Sequence, residues 1–245
     1  MIATPHWRLP DPPLRASAVA TALLGFIAVV AIGEVARGVL PLGDIYGVKA
    51  GATFAILMLV SLGFLQRNHP FPRFGAANQI TTIRAMLVAL IAALFGEPRF
   101  PIVAAGAAIA SLVATALDGA DGWLARRHRI ASDFGARFDM EIDALLILVL
   151  SVLVSRFEKA GAWVIASGLL RYIFVVAGLY WPWLRAPLTP SRRRQAICVF
   201  QILALTLAIV PDIEPPLSTL FAAAALASLA YSFLVDTLWL RRRAH

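Results

Sequence analysis

Long apolar segments are the feature that most limits what this chain can fold into. Several contain about 16–20 continuous apolar residues, close to the length that a helix needs to cross a hydrocarbon core of about 30 Å. The segments lack strict polar–apolar alternation, and backbone groups facing lipid must bond within the chain, so helices are favoured over a transmembrane barrel. Eight segments can be read, at approximately 17–40, 47–65, 78–95, 101–117, 138–154, 162–183, 195–210 and 216–240. The pattern predicts an all-α, polytopic membrane helix bundle.

Composition supports the same class of protein. The chain has 245 residues, of which 60% are hydrophobic and only 15% are charged. Soluble domains are typically about 45–50% apolar and about 25% charged, and disordered chains are poorer still in apolar residues. The single cysteine, Cys198, excludes an intrachain disulfide and any zinc site built from several cysteines.

The basic residues indicate an orientation in the membrane. The net charge is +8, and 20 of the 22 basic residues are arginines, most of which lie between apolar segments. With the N-terminus placed in the cytoplasm, 15 basic residues fall on the inner side, 5 on the outer side and 2 inside segments. This follows the positive-inside rule. We therefore expect an integral inner (cytoplasmic) membrane protein with both termini in the cytoplasm, basic residues that contact anionic lipids, and no nucleic-acid partner.

The acidic residues are concentrated in one stretch. Six of the 14 lie between Asp118 and Asp143, at a predicted inner membrane boundary. Asp118 and Asp121 are three residues apart and Asp139 and Asp143 are four apart, so each pair lies on one face of a helix. Four carboxylates between two neighbouring helices would repel one another unless a cation were bound, and all-oxygen clusters suit Mg²⁺ or Mn²⁺. The alternative is a solvated loop with charged helix caps.

The spacing of these residues resembles a known signature. Asp118, Asp121, Gly122, Ala125, Arg126, Gly135, Asp139 and Asp143 match every fixed position of D-x2-D-G-x2-A-R-x8-G-x3-D-x3-D. This is the signature of the CDP-alcohol phosphatidyltransferase family, which makes phospholipids. Upstream, Asn78, Thr81 and Arg84 match the N-x2-T-x2-R segment at the start of the family's first core helix.

The resemblance implies an architecture and a reaction. The six-helix family core would cover residues 78–245, and residues 1–77 would hold an N-terminal tail, two extra transmembrane helices and a linker. The enzyme would act as a homodimer. It would transfer a phosphatidyl group from CDP-diacylglycerol to an alcohol, such as glycerol phosphate or inositol phosphate, and release CMP.

The resemblance also implies roles for residues. Two divalent cations, Mg²⁺ or Mn²⁺, would be held by Asp118, Asp121 and Asp139. Asp143 would be the general base on the acceptor hydroxyl and would also contact the second metal ion. The CDP moiety would contact the remaining matched residues, namely Asn78, Thr81, Arg84, Gly122, Ala125, Arg126 and Gly135.

Further arginines are candidates for binding a phosphate on the acceptor. Arg171 lies near the middle of the sixth segment, and Arg192, Arg193 and Arg194 open the seventh. Arginine suits phosphate because its planar guanidinium makes bidentate contacts. The alternatives are an interhelical bond for Arg171 and lipid anchoring for the triplet. We expect Asp236, near the end of the last segment, to pair with Arg241–Arg243.

Other functions stay open at this point. The same signature serves enzymes that transfer a phosphoalcohol from a CDP-alcohol to diacylglycerol. A non-catalytic membrane relative is another alternative, although no signature aspartate is missing. A cation transporter is disfavoured, because its acidic residues would be spread over several mid-membrane positions.

Overall fold

The computed structural model describes residues 11–128, 132–186, 188–189 and 191–244. Within these ranges the chain forms eight α-helices and two short 3₁₀ turns, at Ala162–Val164 and Pro182–Arg185, and no strand. The helices are α1 (Pro12–Val39), α2 (Tyr46–Asn68), α3 (Ala76–Ala93), α4 (Pro101–His128), α5 (Asp133–Arg156), α6 (Ile165–Tyr180), α7 (Arg192–Ile209) and α8 (Leu217–Ala244). Each of the eight predicted segments corresponds to one helix.

Six helices in the described part of the chain are long and apolar enough to cross a membrane, namely α1, α2, α3, α4, α6 and α8. The other two begin at charged residues, which are Asp133 in α5 and Arg192–Arg194 in α7. The polytopic all-helical class predicted from the sequence is confirmed. Helices α5 and α7 begin five and three residues before the predicted apolar segments, at Asp133 and Arg192. Helical hydrogen bonding continues into polar sequence, where an apolar pattern gives no signal.

The chain divides into two compact units. The first comprises residues 1–103 and 113–142, and in it α1, α2 and α3 pack against one another. Helices α1 and α2 approach closely at glycines, since a Cβ added to Gly33 would lie 2.9 Å from the Cα of Gly47. Small residues allow such contact between membrane helices. The predicted boundary at residue 77 stays a prediction.

The second unit comprises residues 104–112 and 143–245. In it α7 packs along α8, and α6 contacts α8. Ser111 and Thr206 share a buried hydroxyl–hydroxyl hydrogen bond of 2.7 Å. The ammonium of Lys159 donates to Glu214 Oε1 at 2.6 Å and to the carbonyl of Pro211 at 2.8 Å. These contacts join the segment after α5 to the segment before α8.

Candidate active site

A buried arginine lies at the centre of the predicted site. Arg84, on α3, is 0% exposed, and its Nη1 lies 2.9 Å from Asp118 Oδ1. The same Nη1 forms an ion pair with Asp139 Oδ1. Its Nε donates to the carbonyl of Ala114 at 3.1 Å. One guanidinium therefore connects α3 to α4 and α5, at the two carboxylates that the sequence predicts as metal ligands.

The carboxylates remain accessible although their arginine partner is buried. The side chains of Asp118 and Asp139 are 28% and 35% exposed, and a carboxylate oxygen of each lies within 4.8 Å of the other. Asp143 follows Asp139 by one turn of the same helix, α5. An all-oxygen donor set of this kind fits Mg²⁺ or Mn²⁺. Because Arg84 already neutralises part of the charge, a metal ion would share these carboxylates with a guanidinium.

Four predicted site residues lie in the last turns of α4. The backbone of α4 stays helical through them as far as His128. Their side chains lie outside the described part of the structure, so their predicted roles stay predictions. They are Asp121, Gly122, Ala125 and Arg126.

The structure brings two predicted CDP-binding residues together. Asn78, at the start of α3, is buried, and its Nδ2 donates to the carbonyl of Phe74 at 2.5 Å. A Cβ added to Gly135, in the first turn of α5, would lie 2.9 Å from Asn78 Oδ1. A larger residue at position 135 would therefore require the side chain of Asn78 to shift. Thr81 is also buried, and its hydroxyl donates to the carbonyl of Ala77 at 3.2 Å.

The predicted acceptor-binding arginines lie in the second unit. Arg171 is half-buried on α6, and Arg192 is exposed at the start of α7. Arg193 Nη2 and Arg194 Nη1 lie 2.5 and 3.2 Å from Asp236 Oδ1 on α8. Two guanidiniums therefore share one carboxylate, which is mostly buried.

The expected pairing of Asp236 with Arg241–Arg243 is wrong. Helix α8 presents Asp236 to the start of α7, where Arg193 also donates to the carbonyl of Ser232 at 3.2 Å. The guanidinium of Arg243 instead lies over the ring of Trp239, 4.0 Å from its centroid. The packing of α7 along α8 decides which arginines reach the carboxylate.

Two contacts at the site were not predicted. The thiol of Cys198 donates to Asp143 Oδ2 at 3.6 Å. The imidazole of His69 lies 3.1 Å from the hydroxyl of Ser132, three residues before Gly135. Neither residue belongs to the matched signature. No sequence pattern indicated the contact between His69 and Ser132, which are 63 positions apart.

Fold and site together define a polytopic helical membrane protein with a carboxylate cluster suited to divalent cations. The family model described as CDP-alcohol phosphatidyltransferase matches residues 74–234. The chain therefore belongs to the CDP-alcohol phosphatidyltransferase family.

Two curated relatives carry the same name, CDP-diacylglycerol–glycerol-3-phosphate 3-phosphatidyltransferase. The one from Bacillus subtilis (strain 168) is 26% identical over 117 residues, which cover 43% of this chain and 60% of the relative. The one from Pseudomonas fluorescens is 31% identical over 178 residues, which cover 66% of this chain and 84% of the relative. No solved structure gives a significant match.

Proposed function

We propose that this chain is an enzyme that transfers a phosphatidyl group from CDP-diacylglycerol to a phosphorylated alcohol and releases CMP. The observation that carries the proposal is the convergence of signature residues at Arg84, where carboxylates from α4 and α5 meet. The family match and the names of both relatives support the reaction class. The relatives favour glycerol 3-phosphate as the acceptor.

In this proposal the site residues divide the chemistry between them. Asp143 accepts the proton of the acceptor hydroxyl, whose oxygen bonds to the phosphatidyl phosphorus as the bond to the CMP oxygen breaks. A general base of this kind contributes about 10²–10⁴-fold. Asp118, Asp121 and Asp139, with Asp143 as a shared ligand, would hold two divalent cations. When bound, these ions supply charge neutralisation of the pyrophosphate and polarisation of its phosphorus.

The nucleotide end would be formed by the predicted CDP-binding residues. Asn78 and Gly135 approach each other there, and the absence of a side chain at Gly135 leaves room for the amide of Asn78. Arg84 contacts the carboxylates of Asp118 and Asp139 directly. This favours a role in positioning these carboxylates, in addition to any contact with the pyrophosphate. Thr81, Gly122, Ala125 and Arg126 would complete this end.

The acceptor phosphate would contact Arg171 and the arginines that open α7. Arginine is well shaped for phosphate. Arg192 is exposed, whereas Arg193 and Arg194 share the carboxylate of Asp236. The positive charge of Arg193 and Arg194 is therefore partly neutralised before an acceptor phosphate binds. We propose that the site and both termini face the cytoplasm, which is supported by the 15-to-5 distribution of basic residues. The homodimer stays a prediction from the family resemblance.

Acceptor-dependent release of CMP by the purified full chain in detergent tests the proposal. CDP-diacylglycerol and Mg²⁺ or Mn²⁺ would be supplied with glycerol 3-phosphate, inositol 1-phosphate, inositol, serine or choline. We expect release with a phosphorylated acceptor, and a loss of about 10²–10⁴-fold in Asp143→Asn. Glu141→Gln is the matched control, because Glu141 is an exposed acid on the same helix. Folded protein that releases CMP only from CDP-choline and diacylglycerol would overturn the donor assignment, and Asp143→Asn with full activity would overturn the general base.

A further inference from the structure

His69 lies outside the family domain but touches its signature region. It lies in the linker between α2 and α3 (residues 69–75), five residues before the first residue of the family match, and is only 8% exposed. Its Nε2 lies 2.8 Å from the carbonyl oxygen of Arg73, and its Nδ1 lies 3.1 Å from Ser132 Oγ. Both ring nitrogens of this buried histidine therefore form hydrogen bonds.

The directions of these hydrogen bonds follow from the groups involved. A carbonyl oxygen only accepts, so Nε2 of His69 carries the hydrogen, and in the neutral ring Nδ1 must then accept. The hydroxyl of Ser132 donates to Nδ1, and its oxygen accepts from the backbone N–H of Gly135 at 3.0 Å. The backbone N–H of Gly135, the hydroxyl of Ser132 and the imidazole of His69 therefore form a continuous series of hydrogen bonds. The series runs from the first turn of α5 to the carbonyl of Arg73.

Ring contacts hold His69 against the same helix. Its ring meets the rings of Phe71 and Phe134 edge-on, at centroid distances of 5.4 and 6.0 Å. Phe134 stacks on Phe138 at 5.6 Å, and Phe138 directly precedes Asp139. The imidazole thus supports both the backbone at Gly135 and the apolar face of the turn that presents Asp139.

The other end of the linker is held from α1 and α3. The backbone N–H of Phe74 donates to Ser17 Oγ at 3.0 Å, and the carbonyl of Phe74 accepts from Asn78. Asn78 Oδ1 in turn limits the space at Gly135. The gap between Asn78 and Gly135 therefore depends on a linker anchored at His69 and at Phe74.

We propose that His69 is a positioning residue for the nucleotide end of the site, acting through Ser132 on Gly135. The proposal rests on the proposed function, because it assigns CDP binding to Asn78 and Gly135. It gives the segment before the family domain a part in substrate binding.

Two amide substitutions separate positioning from packing. The amide of His69→Asn falls near Nδ1 and keeps an acceptor for Ser132, whereas the amide of His69→Gln falls near Nε2 and keeps only the donor to the carbonyl of Arg73. Ser132→Ala removes the same hydrogen bond by deleting the hydroxyl that donates to Nδ1 of His69. Arg73→Gln is the control, because the side chain of Arg73 is exposed and only its carbonyl contacts His69.

The readout is the dissociation constant of CMP with Mg²⁺, measured by calorimetry on folded full-length protein. Loss of one neutral hydrogen bond corresponds to about a three- to tenfold change in an equilibrium constant. We expect that weakening in His69→Gln and Ser132→Ala, and binding within about twofold of wild type in His69→Asn and Arg73→Gln. Where transfer is measurable, the KM for CDP-diacylglycerol should rise while the acceptor KM stays unchanged.

Equal CMP affinity in His69→Gln and wild type would overturn the positioning role. Equal weakening in the Asn and Gln variants would also overturn it, because the ring would then act through packing alone. Failure of the proposed function gives a different result, namely wild-type protein that binds CMP but transfers nothing to any acceptor. Wild-type protein that does not bind CMP would contradict both.

Discussion

Removal of the Arg84 guanidinium is the most direct test of how the site is held together. Methionine at this position keeps an unbranched apolar chain of similar length and removes the charge. Arg84→Met leaves Asp118 and Asp139 without the buried cation that joins them. Breaking a buried ion pair by removing one partner costs about 3–5 kcal/mol. Because both carboxylates are partly exposed, we expect the lower end, about 3 kcal/mol, or about a hundredfold in the folding equilibrium.

The measurement is unfolding in mild detergent with increasing SDS, followed by tryptophan fluorescence, with EDTA or with Mg²⁺. We expect Arg84→Met to lose about 3 kcal/mol in EDTA. If the two aspartates bind a divalent cation, the metal no longer competes with a guanidinium in the variant. Mg²⁺ at about 100 times its dissociation constant would then return about 2.7 kcal/mol, and would stabilise wild type less.

Arg241→Met is the control, because Arg241 is exposed at the end of α8, and we expect a change within about 0.5 kcal/mol. Arg84→Met as stable as this control in EDTA would refute the stabilising role of the buried pair. A variant that is destabilised but indifferent to Mg²⁺ and Mn²⁺ would refute metal binding at these two carboxylates.

Two further predictions concern packing and the acceptor end. Gly168→Ala places a Cβ 2.8 Å from Leu148 Cβ and closer still to its Cα, so α5 and α6 must separate, at a cost of about 1–3 kcal/mol in the same unfolding assay. Gly38→Ala has no atom within 4 Å of the new Cβ and should be neutral or stabilising, and equal effects in the two variants would contradict the close approach. Asp236→Asn removes the charge shared by Arg193 and Arg194 and should change the acceptor KM about fivefold while the KM for CDP-diacylglycerol stays constant. Equal changes in both constants, or the same change in the exposed Asp212→Asn, would contradict that assignment.

Much of the fold follows from local patterns. Each apolar segment predicted one helix, because burial in lipid requires a length and composition that can be counted along the chain. Helix starts were less predictable, since the first turns of α5 and α7 carry charged residues. These first turns contain Gly135 and Arg193, so two candidate site residues lie where the apolar pattern gives no signal.

Pairings between distant residues were not predictable in the same way. The sequence indicated Arg84 as a nucleotide contact, whereas in the structure its guanidinium lies between Asp118 and Asp139. Asp236 was expected to pair within its own helix but pairs with the start of α7. An arginine has many possible carboxylate partners in the sequence, and only helix packing brings one within reach.

The sequence by itself determined the helical membrane class, the family and the helical faces that carry the aspartates. These depend on segment length, on residue spacing and on the helical repeat, all of which are local properties. Tertiary structure decided that one buried guanidinium joins α3 to α4 and α5, and that His69 reaches the first turn of α5 through Ser132. Those contacts join residues that are 34 to 63 positions apart, and they contribute to the free energy of folding only once the helices have packed.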